Sequence, residues 1–179
     1  MAASDYWNAF VQAAKRSSEE NAAKQNKLDP KPILLKLSPD STDEQICEIV
    51  SKATSIGIDG FVATNTTVKR PIPGSTQSRK AYSNDGGLSG RPLRDRAIEV
   101  ISTVYQETDG TVPIVGVGGI DSKDSAWDAI ISGASLIQIY SALVFNGPSV
   151  VSSIVKGLNH RTKESGFSSI SEAVGYKHN

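Results

Sequence analysis

The chain is poor in sulfur and imidazole: it has one cysteine, Cys47, and two histidines, His160 and His178, in 179 residues. A single thiol excludes an intramolecular disulfide and a cysteine-built zinc centre, and two isolated histidines make no ligand cluster, so no metal site is expected. Cys47 lies between Glu44 and Ile49 on a predicted helix and reads as a core residue, whereas His160, on a late helix, and His178, next to the terminus, read as surface residues. Net charge is missing too, because 19 basic side chains balance 19 acidic ones. With a pI near 6.7 and no basic stripe, nucleic acid is not an expected partner. No apolar run approaches the ~20 residues of a membrane-spanning helix, and the N-terminus lacks the apolar region of a signal peptide. Hydrophobic residues at 38% and charged residues at 21% fit a globular segment rather than a disordered one. The length suits one domain but falls short of the ~250 residues that a complete (β/α)₈ barrel takes.

What the sequence does have is glycine in two telling places. Ile114-Val-Gly-Val-Gly-Gly-Ile120 is an apolar run ending in paired glycines, followed by Asp121-Ser122 and then Ser132-Gly133-Ala134. It reads as a buried strand delivering bare backbone to a phosphate, with Ser122 as the N-cap of the next helix. Gly86-Gly-Leu-Ser-Gly-Arg-Pro92 repeats the device upstream, again before a predicted helix. Together they suggest a phosphate-bearing cofactor. Between the two readable halves, Lys69, Arg70, Arg79 and Lys80 fall in a stretch rich in Pro, Gly and Ser that reads as a solvated connection.

Strand and helix patterns alternate along the chain. Trp7, Phe10, Val11 and Ala14 have helical spacing, and Lys15 to Asp29 is almost wholly polar, reading as a fraying helix end and linker that Pro30 and Pro32 stop. Ile33 to Leu37, Gly60 to Thr64, Pro113 to Val117 and Ser135 to Tyr140 read as buried strands. The helices between them begin at a capping box in Ser41-Thr-Asp-Glu44, at Leu93 and at Lys123. A last helix starts at Pro148 and carries Val151, Ile154, Val155 and Leu158. Four strand-then-helix units predict an α/β fold with a parallel sheet and right-handed crossovers. The repeats alone leave open whether this is barrel-type or a doubly wound open sheet. In either case Lys36, Thr64 to Thr66, Gly118, Gly119, Tyr140 and Ser141 all follow strands and would meet on one rim.

Asp85 to Pro92, Pro113 to Ile120 and the Ala126, Gly133, Ala134 spacing closely resemble the C-terminal half of dihydroorotate dehydrogenase, an FMN enzyme of pyrimidine (UMP) synthesis. Leu35-Lys36-Leu37-Ser38-Pro39-Asp40, Val62-Ala-Thr-Asn-Thr-Thr67 and Tyr140-Ser141 resemble further segments of that family, in the same order, from about Trp7 to the end. The likeness is greatest to the quinone-dependent class. It implies a TIM-barrel type fold of which this chain is about the second half, strands five to eight. On that division residues 1–30 belong to the preceding barrel helix and its linker, and 31–179 form the FMN-binding half.

The resemblance also implies roles. Lys36 would lie beside the flavin ring, Thr64, Ser89 and Gly90 would contact flavin, and Gly118, Gly119, Tyr140 and Ser141 would surround its phosphate. Asn65, which offers donor and acceptor together, and Thr66, which adds a hydroxyl, would contact orotate. The implied reaction takes a proton from C5 of dihydroorotate while hydride passes from C6 to FMN, with a quinone as the final acceptor. The family's base lies in a first-half loop that no segment here matches, so no catalytic base is assigned and the chain alone is expected to be inactive. The family's eukaryotic quinone-class members sit at the mitochondrial inner membrane, through an N-terminal segment not seen here. Three readings follow: a fragment or splice form of such an enzyme, a non-catalytic flavin- or phosphate-binding half barrel that self-associates, or another FMN barrel acting on tRNA uridines or free pyrimidines.

Overall fold

The computed structural model describes residues 3–24, 30–71, 82–83 and 85–178, with residues 3–8, 10 and 24 described by backbone alone. Arg79, Lys80 and residues 25–29 of the expected linker lie outside the described residues, as do the side chains of Trp7 and Phe10. Helix α1 (Ala3–Lys24) precedes four strands, β1 (Leu34–Leu37), β2 (Gly60–Ala63), β3 (Ile114–Val117) and β4 (Leu136–Gln138). Between and after them run α2 (Asp43–Ser55), α3 (Arg94–Glu107), α4 (Lys123–Ile131), α5 (Ser141–Asn146) and α6 (Ser149–Glu164). A 3₁₀ turn over Arg91–Leu93 leads into α3, and two more close the chain at Ile170–Ala173 and Tyr176–His178.

The sheet is parallel throughout and its strands lie in chain order, β1-β2-β3-β4, each paired with its successor. This order decides between the two architectures left open above. Right-handed crossovers that always step the same way put every crossover helix on one face, whereas a doubly wound sheet reverses direction and covers both. Burial agrees. Leu37, Phe61, Ala63, Ile114 and Gly116 point into the helical layer and are buried with Ile46, Val50, Val100, Ile101 and Ala129. The opposite face, made by Leu34 and Lys36, Val62, Val115 and Val117, and Leu136 and Gln138, is half-buried to exposed, with Leu136 at 61%. The chain is therefore a singly wound, barrel-type sheet of four strands whose concave side is open among the described residues.

Local starts and stops follow the sequence with small displacements. Ser-Thr-Asp-Glu-Gln offers two overlapping capping boxes, and the structure uses the second: Thr42 Oγ1 accepts from Gln45 N at 3.3 Å while Gln45 Oε1 accepts from Thr42 N at 3.0 Å. Helix α2 thus begins one residue later than the Ser41–Glu44 pattern predicts. Helix α4 begins after its N-cap Ser122 as expected, and there Ser125 completes the box.

Three expectations need correction. Lys15 to Lys24 is helix rather than linker, because Ala22 is buried, Val11 joins the core, and the Lys15 ammonium donates to the Gly57 carbonyl. Val151 and Val155 are exposed, since α6 turns Val150 inward together with the expected Ile154. His178 is not a loose surface residue. Its ring stacks on Tyr105 at 5.3 Å, and Nε2 lies 3.1 Å from Ser102 Oγ and 3.2 Å from the Ser132 carbonyl, pinning the chain end across α3 and the α4–β4 turn. His160 is exposed and paired with Glu164 at 2.9 Å, as a surface histidine should be. Cys47 is half-buried on α2, where burial first, then the neighbouring Glu107, pushes its thiol pKa up, so it is a poor nucleophile.

Candidate functional site

A cavity of about 480 Å³ opens at the carboxyl ends of the strands, the end at which barrel enzymes carry their sites. Its wall includes Lys36, Thr64, Asn65, Thr66, Ser89, Gly90, Gly118, Gly119, Tyr140 and Ser141, so residues spread over more than a hundred positions of sequence converge on one space.

Each part of the rim is held by a specific contact. Lys36 is exposed on edge strand β1, in register with Val62 of β2. Beyond β2, Thr64 N donates to the Val117 carbonyl at 2.6 Å and Asn65 N to the Leu37 carbonyl at 2.8 Å, so strands β1, β2 and β3 are tied together where they end. The buried Thr64 hydroxyl donates to the Asn65 carbonyl at 2.9 Å. Asn65 Oδ1 accepts from Thr66 N at 2.9 Å, which engages its acceptor and leaves the amide nitrogen for a ligand.

The Gly86–Gly90 segment folds over this end through a small antiparallel bridge, in which Leu88 N donates to the Thr67 carbonyl at 2.7 Å. Asp40, from the loop after β1, accepts from the Thr67 hydroxyl and from Val68 N at 2.9 Å. Arg96 fixes that loop in turn, donating to the carbonyls of Pro39 at 3.0 Å and Ser41 at 2.8 Å. Arg70, expected in a solvated connection, instead gathers the carbonyls of Thr67 at 3.1 Å and Gly86 at 2.6 Å.

The two glycine turns are locked against each other. Gly90, Gly118 and Gly119 have φ of +82°, +140° and +65°, values open to glycine and costly for other residues. A Cβ on Gly119 would sit 2.8 Å from Arg94 Cβ and 2.8 Å from the Gly90 carbonyl oxygen. A side chain here would therefore collide with the start of α3 and with the Gly90 turn. Arg94 supplies the lock, with Nε donating to the Gly119 carbonyl at 2.8 Å and Nη2 to Asp121 Oδ1 at 2.6 Å. Asp121 also accepts from Arg91 Nε at 2.6 Å, and its own amide donates to Ser125 Oγ at 3.0 Å.

Sequence reasoning assigned no role to Arg91, Arg94 or Asp121, although two opposite charges immediately following glycine turns were a readable signal. It also passed over Gln138, Phe145 and Asn146, which line the cavity, and the whole of α5, whose six residues are too few to show a period.

The two site carboxylates behave alike. For Asp40 and Asp121 burial lifts the pKa, but hydrogen bonds from Thr67 and Val68 in the first case, and from Arg91 with the charges of Arg94 and Arg91 in the second, outweigh it and hold both below the ordinary 3.8. A lowered folded-state pKa stabilises the fold fully above the ordinary value and is lost as pH falls through the lowered one. Thermal stability should therefore fall as pH drops below about 3.8, and the Asp40→Asn, Asp121→Asn double variant should show a lower Tm at neutral pH and a shallower acid slope. A variant with the wild-type slope, read by circular dichroism melts, would remove these carboxylates from the acid transition.

The donor set suits an anionic, phosphate-bearing ligand. Positive-φ glycines bring main chain to the wall, the Ser141 and Ala142 amides at the start of α5 precede its first hydrogen bond, from Leu143 N to the Tyr140 carbonyl, and among the described residues Lys36 and Arg91 are the cations lining the cavity. Among the described residues, no group of three or more His, Cys, Asp or Glu is placed to hold a metal, and no helix is long and apolar enough to cross a membrane.

Comparison with known proteins agrees with this picture. The family model for dihydroorotate dehydrogenase matches residues 7–162. A dihydroorotate dehydrogenase (quinone) of Rhodospirillum rubrum is 49% identical over 147 residues, covering 82% of this chain and 39% of that protein. The mitochondrial dihydroorotate dehydrogenase (quinone) of Mus musculus is 44% identical over 146 residues, 82% of this chain and 36% of that one. The crystal structure of the Eimeria tenella enzyme in complex with ferulenol superposes with a TM-score of 0.86 at 29% identity, covering 98% of this chain and 49% of that one. These solved neighbours are TIM barrels, and the chain spans about two fifths of the length of the curated relatives it matches. Fold, site and comparisons together establish that the chain belongs to the dihydroorotate dehydrogenase family, a family of flavoenzymes.

Proposed function

We propose that this chain is the C-terminal, FMN-holding half of a quinone-dependent dihydroorotate dehydrogenase, residues 31–179 forming the half barrel and 1–30 belonging to the helix before it. The parent enzyme oxidises (S)-dihydroorotate to orotate in pyrimidine synthesis and passes the electrons to a quinone, in eukaryotes at the mitochondrial inner membrane. The observation that carries this reading is the convergence of Lys36, Thr64, Gly90, Gly119 and Tyr140 on one cavity at the strand ends.

Bound FMN supplies a two-electron acceptor for hydride. Around it, Lys36 holds a positive charge where negative charge develops on the ring, a preorganised electrostatic role. Thr64, Ser89 and Gly90 shape the flavin's flank, while Gly118, Gly119, Tyr140 and Ser141 enclose the phosphate end. Asn65, with its amide nitrogen free, and Thr66 orient the pyrimidine edge. None of these residues is assigned the C5 proton.

The sheet's concave face, open among the described residues with Leu34 and Leu136 exposed and the outer edges of β1 and β4 unpaired there, favours a second reading in which the half barrel self-associates as a non-catalytic flavin-binding module. Against it, closing two copies would enclose two Lys36 cations in one interior.

Titrating the purified chain into FMN tests the cofactor assignment. Saturable quenching of flavin fluorescence with a shifted absorbance band is expected; fluorescence unchanged at every protein concentration would overturn it.

A further inference from the structure

Arg91 is placed unlike any other cation of the site. It follows Gly90 directly, its side chain is 81% exposed, and it lines the cavity beside Gly118, Gly119 and Ser141. Its one protein partner among the described residues is Asp121, reached through Nε at 2.6 Å, so both terminal nitrogens of the guanidinium are left for water or a ligand. Asp121 does not depend on it. Arg94 already pairs with that carboxylate at 2.6 Å, and Arg94 is anchored by the Gly119 carbonyl and is largely sheltered.

These contacts describe a fixed cation and an exchangeable one on the same carboxylate. We infer that Arg91 is a further binding residue of this cavity, moving from Asp121 onto the terminal phosphate of the flavin and making the site selective for the phosphorylated form. The carboxylate left behind stays neutralised by Arg94, so the move abandons no unpaired charge. A planar guanidinium with two free amino groups matches a phosphate face in bidentate fashion and adds a full positive charge, which neutral backbone amides do not carry. Position supports the division of labour. Lys36 lies on β1, whereas Arg91 meets Asp121 beyond the end of β3, two strands along the sheet, so the two cations serve different ends of one elongated ligand.

This inference rests on the FMN reading and goes beyond it. The test compares wild type, Arg91→Ala and Arg91→Lys in fluorescence titrations with FMN and with riboflavin, at low and high salt. Arg91→Ala should weaken FMN binding about tenfold and leave riboflavin binding unchanged, with Arg91→Lys between them, and the FMN difference should shrink in salt. Because the side chain is exposed, folding should be untouched, which circular dichroism checks. Equal FMN affinity in wild type and Arg91→Ala, or equal losses for FMN and riboflavin, would overturn the role of Arg91 while leaving the cavity a flavin site. Absence of FMN binding by the wild type would overturn the flavin reading and this inference with it.

Discussion

Replacing Gly119 by valine should abolish FMN binding, while Asn65→Ala should leave it nearly unchanged. At φ +65° a β-branched residue is strained, and its Cβ would have to pass within 2.8 Å of Arg94 Cβ and the Gly90 carbonyl. Backbone strain of about 1–3 kcal/mol and overpacking of similar size together make about 2–6 kcal/mol, which the chain can release only by separating the two glycine turns. Separation breaks the Arg94–Gly119 bond and moves the main chain that the phosphate would meet. Asn65 follows the neighbouring strand β2 and is exposed, with its side-chain carbonyl oxygen occupied by Thr66 N. Flavin fluorescence titrations on the two variants give the comparison, and Gly119→Ala separates the contributions: it keeps the backbone strain with the smallest added volume and should fall between them. A larger loss from Asn65→Ala would mean that cofactor and substrate ends have been assigned the wrong way round.

The second large effect is on turnover. The purified chain should show no measurable oxidation of dihydroorotate with a quinone analogue or dye as acceptor. Removing a positioned base alone costs about 10²–10⁴-fold in a proton transfer of this kind, and the open concave face leaves the reacting carbons in water, where the Lys36 charge is screened. Turnover near that of full-length relatives, abolished by Lys36→Ala, would show that association rebuilds a complete site and would favour the self-associating reading.

Much of this was legible in the sequence because the signals were local. Ser122 as a cap, the start of α4 at Lys123 and the four strands announced themselves through glycine, proline and short apolar runs. The direction of winding was not, because it depends on which side each crossover takes, and a βα repeat reads the same in both cases. For the site, the family's motifs brought Lys36, Asn65 and Gly119 to one rim, but the lock between the glycine turns escaped. Arg94 and Asp121 are 27 residues apart, and the opposite charges that follow the two glycine turns do not by themselves say which of them pair. The polar face of α1 misled for the opposite reason: Lys15 to Lys24 has composition suited to a linker, and its helix is secured by the tertiary contacts of Val11 and Ala22.

The bare side of the sheet bears on how this polypeptide behaves in solution. Its rows present Leu34, Val62, Val115 and Leu136 to water next to two unprotected strand margins, the pattern of a surface that sticks to itself. A lone ammonium interrupts that row. Lys36 therefore stands as a gatekeeper on this face besides its proposed place beside the flavin, and its exchange for an apolar residue such as methionine should lower the concentration at which the protein begins to aggregate, as light scattering reads.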